Sequence, residues 1–157
     1  MNYKEFKKNL RDLTLKYQRE REKVNDMIKN VQNEHERGII SDHEEKEQEK
    51  KLYGILDTLK SKEKRSVERL KMNFAMQDNP VEIGDIIWAQ SKNGTKVMKV
   101  TEIRLAAFEY PMLKYFGIQL TLKGMPAKTQ KQYPSGGIYQ KDVVSVKGEA
   151  YTYKVRD

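Results

Sequence analysis

The sequence predicts an α+β protein: an N-terminal antiparallel long helical hairpin, coiled-coil-like, followed by a small β-module. Residues 1–79 contain no proline and are rich in strong helix formers, with apolar residues at helical spacing. From Glu82 the stretch EIGDIIWAQSKNGTKVMKVTEI is rich in β-forming residues around a turn. The contrast predicts two domains, a helical hairpin at 1–78 and a β-module at 82–157, with a linker at 79–81.

Composition limits the core and the class of protein. Of 157 residues, 37% are hydrophobic and 34% are charged, which predicts an elongated helical part with a narrow apolar seam. The sequence contains no cysteine, which excludes disulfides, thiolate metal ligands and cysteine nucleophiles. It also has no signal-peptide core and no run of ~18 apolar residues, so we expect no membrane association and a cytoplasmic location.

The net charge is positive and unevenly distributed. Its formal value is +8; residues 1–80 hold 19 basic and 16 acidic side chains, and residues 81–157 hold 12 and 7. The smaller, more apolar part is therefore the more basic one. A positive field attracts polyanions and acidic protein surfaces alike, so the expected partner is nucleic acid or an acidic protein surface.

The first helix is predicted from about Tyr3 to about Arg37. Gly38 has the permissive backbone that commonly ends a helix, and Ser41 with Glu44 forms a capping box for the next one. The apolar positions follow alternating steps of three and four, as in one face of a coiled coil, with one acidic residue among them. This stripe consists of Tyr3, Phe6, Leu10, Leu13, Tyr17, Glu20, Val24, Met27 and Val31.

The second helix is predicted from about Asp42 to Met76, and Asp78 to Pro80 end it. Its apolar residues again form one stripe, but a seam between two helices alone rarely stabilises a fold. We therefore expect the hairpin to pack on the β-module or to form a homodimer. The candidate protein-interface residues are Leu52, Leu56 and Leu59 of this helix and Trp88 of the β-module.

Short strands are predicted in the second part. Phe116, Ile118, Leu120 and Leu122 alternate with less apolar residues, which predicts that these four form a buried face. Val100 and Ile103 have opposite parity in one strand, which predicts a bulge. A turn is expected at residues 91–94. The predicted strands are Ile83–Gln90, Lys96–Leu105, a strand through Phe116–Leu122, strand structure within Ile138–Val146, and Tyr151–Val155.

The segments EIGDIIWA, KVTEI and IYQKDVVSV resemble the SH3-like small β-barrels, which include Tudor and KOW-type modules. The resemblance covers residues 81–157 and not the helices. It implies a closed barrel in which a "GD" turn opens the first long strand and a short helical turn, here Tyr139 to Asp142, precedes the final strand. Such barrels bind RNA, DNA, ribosomes or protein tails, and the fold does not choose among them. The peptide-groove residues of signalling SH3 domains are missing, so proline-rich ligands are not implied.

No catalytic, metal or cofactor site is predicted. His35 and His43 flank the turn beside acidic residues, but a polar tip lacks the rigid surroundings that strong metal binding needs. No nucleophile motif and no phosphate-binding glycine loop is present. We therefore expect a binding protein and not an enzyme.

Two functions remain open. In the first, the basic β-module binds nucleic acid while the helices dimerise or act as spacers; among its aromatic residues, Trp88, Tyr110, Tyr115 and Tyr139 could stack bases or lie in the core. In the second, the hairpin assembles with another protein, as a structural accessory protein or an inhibitor, and the style of sequence fits a small phage or mobile-element protein. The nucleic-acid candidates are Lys92, Lys96, Lys99, Arg104, Lys128, Lys131 and Tyr133.

Overall fold

The computed structural model describes residues 1–92, 94–123 and 137–157. Two long helices, α1 (Tyr3–Glu36) and α2 (Asp42–Met76), precede a six-stranded antiparallel sheet. The α+β prediction of two long helices followed by a β-module is confirmed. The strands are β1 (Ile86–Ser91), β2 (Gly94–Ala106), β3 (Met112–Leu120), β4 (Ile138–Tyr139), β5 (Val143–Val146) and β6 (Glu149–Ala150), and a 3₁₀ helix (Gln140–Asp142) joins β4 to β5.

The helix ends lie within one residue of their predicted positions. Gly38 follows α1 with a φ of +70°, and its N–H group donates to the carbonyl oxygen of His35 at 3.0 Å. The Ser41 hydroxyl accepts a hydrogen bond from the Glu44 N–H group at 3.2 Å, which caps α2. None of the described helices is long and apolar enough to cross a membrane.

The chain divides into two compact units. One is the helical hairpin, Lys4–Leu70, and the other combines Met1–Tyr3 with Lys71–Asp157. The last turns of α2 therefore group with the sheet, whereas the sequence placed the linker at residues 79–81. Ala75 is part of the core cluster under the sheet and Met72 packs against that cluster, which explains the grouping.

In the hairpin unit the helices run antiparallel, as predicted. The Tyr17 hydroxyl lies 3.1 Å from the Ser66 hydroxyl, and Gln32 donates to the Glu49 carboxylate at 3.3 Å, so residues near the start of α1 face the end of α2. Between these contacts Arg21 forms an ion pair with Glu63. The residues of α1 buried along this stretch are Tyr17, Val24, Ile28 and Val31.

The apolar stripe predicted for α1 differs from the observed seam at two positions: Ile28 replaces Met27, and Arg21 replaces Glu20 as the polar residue. Met27 is 52% exposed, whereas Ile28 is 6% exposed and lies on the seam. Glu20 is half-buried but lines a depression on α1 with Leu15 and other residues of the same helix. The observed rotation of α1 about its axis places Arg21 beside Glu63. The seam therefore contains an ion pair, whereas the predicted stripe had the unpaired carboxylate of Glu20.

The sheet has the strand order β4-β3-β2-β1-β5-β6 and is open. Within the described residues its end strands, β4 and β6, do not pair with each other, so the predicted closed barrel is not confirmed. Both end strands contain two residues, which offers few backbone groups for closing a barrel. The predicted bulge is confirmed, because the register of β2 with β3 shifts between Val100 and Glu102.

One face of the sheet forms the core, and it is not the face predicted for β3. Leu113 and Tyr115 are fully buried, whereas Ile118 is 40% exposed and Leu122, beyond the end of β3, is 63% exposed. Of the four residues predicted to form a buried face, Leu120 is buried as predicted, with 9% of its surface exposed, whereas Phe116 is only half-buried. Their alternation lies on the face opposite the core cluster. The core cluster under the sheet contains Ala75, Val81, Ile87, Ala89, Met98, Val100, Leu113, Tyr115, Ile138, Val143 and Val146.

The predicted strand at Tyr151–Val155 is also wrong. The Tyr151 N–H group donates to Val144 O at 2.9 Å, but no further ladder follows. Contacts of Arg156 position the rest of this segment. Its N–H group donates to the Tyr110 hydroxyl at 2.7 Å, its guanidinium donates to Phe74 O at 3.2 Å, and its carbonyl oxygen accepts from the Tyr3 N–H group at 2.8 Å. These contacts fix the C-terminal segment at the end of α2.

Candidate functional site

The face of the sheet opposite the core cluster, called here the outer face, carries both aromatic and basic side chains. Register places Arg104 of β2 opposite Lys114 of β3, and Lys114 opposite Tyr139 of β4. Phe116 pairs with Glu102, and Lys99 pairs with Ile118 further along the same two strands. Three neighbouring strands thus present these side chains on one surface, because alternate residues of a strand share a face.

Cations lie over the aromatic rings at the β2-β3-β4 end of this face. The Arg104 guanidinium lies 4.8 Å from the centre of the Phe116 ring. The Lys114 ammonium lies 5.3 Å from the Phe116 ring centre and 4.6 Å from the Tyr139 ring centre, and it donates to the Tyr139 hydroxyl at 3.4 Å. Lys141 lies 5.8 Å from the same Tyr139 ring. Such contacts hold each cation in place while it remains at the surface.

Phe108 adds an exposed ring to this group. It lies in the turn between β2 and β3, is 46% exposed, and its ring centre is 5.5 Å from that of Tyr139. Its N–H group donates to Ala106 O at 2.9 Å, which tightens the turn. We call Arg104, Phe108, Lys114, Phe116, Tyr139 and Lys141 together the basic-aromatic cluster.

The turn that carries Phe108 is anchored by the residues that follow. The Tyr110 ring packs on Tyr3 and Phe74, with ring centres 5.0 and 5.2 Å away, and Pro111 is fully buried. The Glu109 carbonyl accepts a hydrogen bond from the Tyr3 hydroxyl at 3.2 Å. The turn is therefore held by its second half, while Phe108 lies at the surface beside Tyr139.

The charge balance of the outer face is positive. Glu102 accepts hydrogen bonds from Arg104 at 2.5 and 3.0 Å, and this hydrogen bonding and charge raise the pKa of Arg104. Among the residues that the structure describes, Lys99, Lys114 and Lys141 make no ion pair with a carboxylate. These three lysines are the cations that remain available to a ligand.

A glycine allows the close approach of β4 to the cluster. A β-carbon at Gly137 would lie 2.5 Å from the carbonyl oxygen of Tyr115 and 3.0 Å from Cε1 of Phe116. The Phe116 ring thus packs directly over the backbone at the start of β4. Any larger residue at position 137 would displace the strand or the ring.

The structure brings together only part of the predicted nucleic-acid residues. Arg104 is in the basic-aromatic cluster, and Lys99 is exposed on the same outer face. Lys96 pairs with Ala89 and shares the parity of the core face, and Lys92 is exposed in the turn after β1. The remaining predicted residues, Lys128, Lys131 and Tyr133, lie outside the described residues.

The structure likewise places only some of the candidate aromatic residues on the outer face. Tyr115 is fully buried, its hydroxyl donates to the Asn79 side chain at 2.7 Å, and its burial raises its pKa. Tyr110 is half-buried and its ring packs on Tyr3 and Phe74, so both tyrosines serve internal packing. Trp88 is half-buried on the outer face, opposite Val97. Tyr139 alone belongs to the basic-aromatic cluster.

Sequence reasoning missed Phe108, Lys114, Phe116 and Lys141. The regular alternation of Phe116 with Ile118 predicts a buried face for Phe116. The available signal was the competing alternation of Leu113 with Tyr115, which places Lys114 and Phe116 together on the other face.

The candidate interface residues of the hairpin are incompletely covered. Leu52, Leu56 and Leu59 are each half-buried, and α2 has no fully buried side chain before Phe74. Near the turn, His35 contacts Asp42 through Nε2 and lies 2.5 Å from Glu45 through Nδ1. The described ranges contain no group of three or more histidine or acidic side chains arranged to hold a metal ion.

Comparisons with protein-family models, curated proteins and solved structures gave no significant match. The function is therefore inferred from the geometry of these surfaces.

Proposed function

We propose that the protein is a non-catalytic nucleic-acid-binding protein that contacts the phosphate backbone through the outer face of its sheet. The observation that carries this proposal is the basic-aromatic cluster, in which Lys114 and Lys141 lie over Tyr139 without a carboxylate partner among the described residues. Lysine side chains that neutralise phosphates release counterions, which supplies most of the affinity for a polyanion. Lys99, on the same face, extends the positive surface along β2.

The positions of the cations favour phosphate contacts. The Lys114 side chain is held between two rings, at 4.6 and 5.3 Å, so binding would restrict it little further. A side chain that is already ordered loses less conformational entropy on binding. Phosphate contacts set the position of a protein on nucleic acid without reading sequence, which fits a face that has no recognisable base-reading motif.

We also propose that the sheet is related to the SH3-like modules, for which two local features give support. At the "GD" turn, Gly84 has a φ of +94°, its N–H group donates to Val100 O at 2.7 Å, and the Asp85 carboxylate accepts from the Glu82 N–H group at 2.8 Å. The 3₁₀ helix precedes β5 at the position expected from that resemblance. Nucleic acids are among the ligands of such modules, so this relationship agrees with the proposed function.

The test replaces three lysines of the outer face with glutamine: Lys99→Gln, Lys114→Gln and Lys141→Gln together. Its control has the same charge change in the hairpin unit, with Lys50→Gln, Lys60→Gln and Lys64→Gln, all exposed positions. Affinity for a labelled oligonucleotide at low salt should fall in the first variant and remain near wild type in the second. Equal losses in both would mean that net charge, and not this face, attracts the ligand.

The incomplete burial of α2 supports a second candidate function, protein assembly through the hairpin. Leu52, Leu56 and Leu59 would gain burial against a second copy or another protein. Sedimentation analysis of the wild type and of Leu56→Glu separates the two candidates. A self-associated wild type that becomes monomeric in the variant, without nucleic-acid binding, would favour assembly.

A further inference from the structure

Phe108 is an exposed aromatic residue on an anchored turn. A ring that is 46% exposed loses part of the free energy that burial would give it, and the adjacent Tyr110 and Pro111 are well packed in the same turn. The turn therefore does have packing partners, and only the Phe108 ring remains exposed. The geometry of the turn keeps the Phe108 ring at the surface, near Lys114 and Lys141.

The surroundings of Phe108 suit an unpaired base. The Phe108 and Tyr139 rings are tilted by 47° with centres 5.5 Å apart, so Tyr139 covers Phe108 only in part. Lys114 and Lys141 lie 4.6 and 5.8 Å from the Tyr139 ring, beside the same surface. A base on the Phe108 ring would thus have ammonium groups nearby for its flanking phosphates. Aromatic side chains combined with a basic surface are the usual basis of sequence-tolerant single-strand binding.

We propose, on the basis of the proposed function, that Phe108 stacks on an unpaired base and that the ligand is single-stranded nucleic acid. Bases within a duplex already stack on each other and leave no ring face for Phe108, so a duplex would contact only the lysines. Single strands should therefore bind more tightly than duplexes of equal length.

The experiment uses the full chain and three probes of equal length: oligothymidylate of about 12 nucleotides, within the usual site size, an abasic oligonucleotide, and a duplex. The abasic probe keeps the phosphates and removes the bases. Fluorescence anisotropy compares wild type with Phe108→Ala, Phe108→Trp and the control Ile83→Ala, whose side chain is 60% exposed elsewhere in the same unit. Circular dichroism melting checks that each variant is folded.

Stacking predicts that Phe108→Ala weakens oligothymidylate binding by about 5- to 150-fold, leaves abasic binding unchanged, and is rescued by Phe108→Trp. Equal affinity for all three probes, or no effect of Phe108→Ala, would overturn the stacking role while leaving phosphate binding by the lysines intact. Absence of binding to every probe at low salt would overturn the proposed function itself, and this inference with it.

Discussion

Gly117 of β3 lies against Lys99 of β2 so closely that a β-carbon at Gly117 would be 2.0 Å from the Lys99 carbonyl oxygen and 3.0 Å from the Thr101 nitrogen. This contact occurs at the bulge, where the register between the two strands shifts. The bulge turns β2 so that Ile103 and Leu105 pack against the core cluster while Arg104 lies on the outer face. The position of Arg104 in the basic-aromatic cluster thus depends on Gly117.

Gly117→Ala should destabilise the protein, because the clash is with backbone that cannot move without breaking the β2-β3 pairing. Overpacking of this kind costs about 1–3 kcal/mol, which urea unfolding can measure. The matched control is Gly54→Ala in α2, where a β-carbon would meet nothing within 4 Å. That change should raise stability by about 0.5–1 kcal/mol, since alanine favours a helix interior. If Gly117→Ala left stability unchanged, β2 and β3 would have to be further apart at this position than the structure shows.

The seam of the hairpin predicts that substitutions at the adjacent residues Glu20 and Arg21 of α1 have different effects on thermal stability. Arg21→Ala should lower the melting temperature, because it leaves the half-buried Glu63 without its ion-pair partner. Glu20→Leu, at a position that does not pair across the seam, should change the melting temperature little. A rise in stability for Glu20→Leu would instead support the stripe predicted from sequence, in which Glu20 faces the seam.

The helix ends were predictable because they depend on local chemistry. Gly38 and the Ser41 cap act within one turn, and the bulge followed from the parity of Val100 and Ile103. Local chemistry does not determine which side of α1 faces the seam or which side of β3 faces the core. Either Met27 or Ile28 completes an apolar stripe, and the choice depends on Arg21 meeting a residue that is distant in sequence.

The candidate site shows the same limit. Both parities of β3 are apolar, and long-range contacts select Tyr115 for the core, where its hydroxyl reaches Asn79. That selection places Phe116 and Lys114 on the outer face. Composition indicated a basic surface, but it could not indicate which lysines share a face, as the separation of Lys96 from Lys99 shows.

The contacts of α2 with the core cluster predict where the β-module begins. Residues 71–157 should give a β-rich circular dichroism spectrum with a higher melting temperature than residues 81–157, because the shorter fragment lacks Met72 and Ala75. Equal stability of the two fragments would show that the sheet does not need the end of α2. The helical fragment 1–78 should be helical but only marginally stable.

The tyrosines of the C-terminal segment predict a loss of stability at alkaline pH. Burial, followed by the charges of Tyr110 and Tyr151, raises the pKa of Tyr153 to about 12. An unfolded tyrosine ionises near pH ~10. The contribution of Tyr153 is therefore complete below pH ~10 and is lost as pH rises through about 12, since the unfolded chain releases the proton first. Tyr153→Phe should reduce this dependence, measured by urea unfolding at each pH, whereas Tyr53→Phe, at a 50% exposed position, should not.

The salt dependence of oligonucleotide binding tests the central claim most directly. Affinity for single-stranded nucleic acid is measured from about 50 to 200 mM salt, where phosphate-driven binding changes most. Three phosphate contacts, from Lys99, Lys114 and Lys141, predict a logarithmic slope of about 2 for the wild type, at about 0.7 per contact. The slope should approach zero in the variant that carries glutamine at all three positions. An unchanged slope in that variant, or no binding at the lowest salt, would contradict nucleic-acid binding by the outer face.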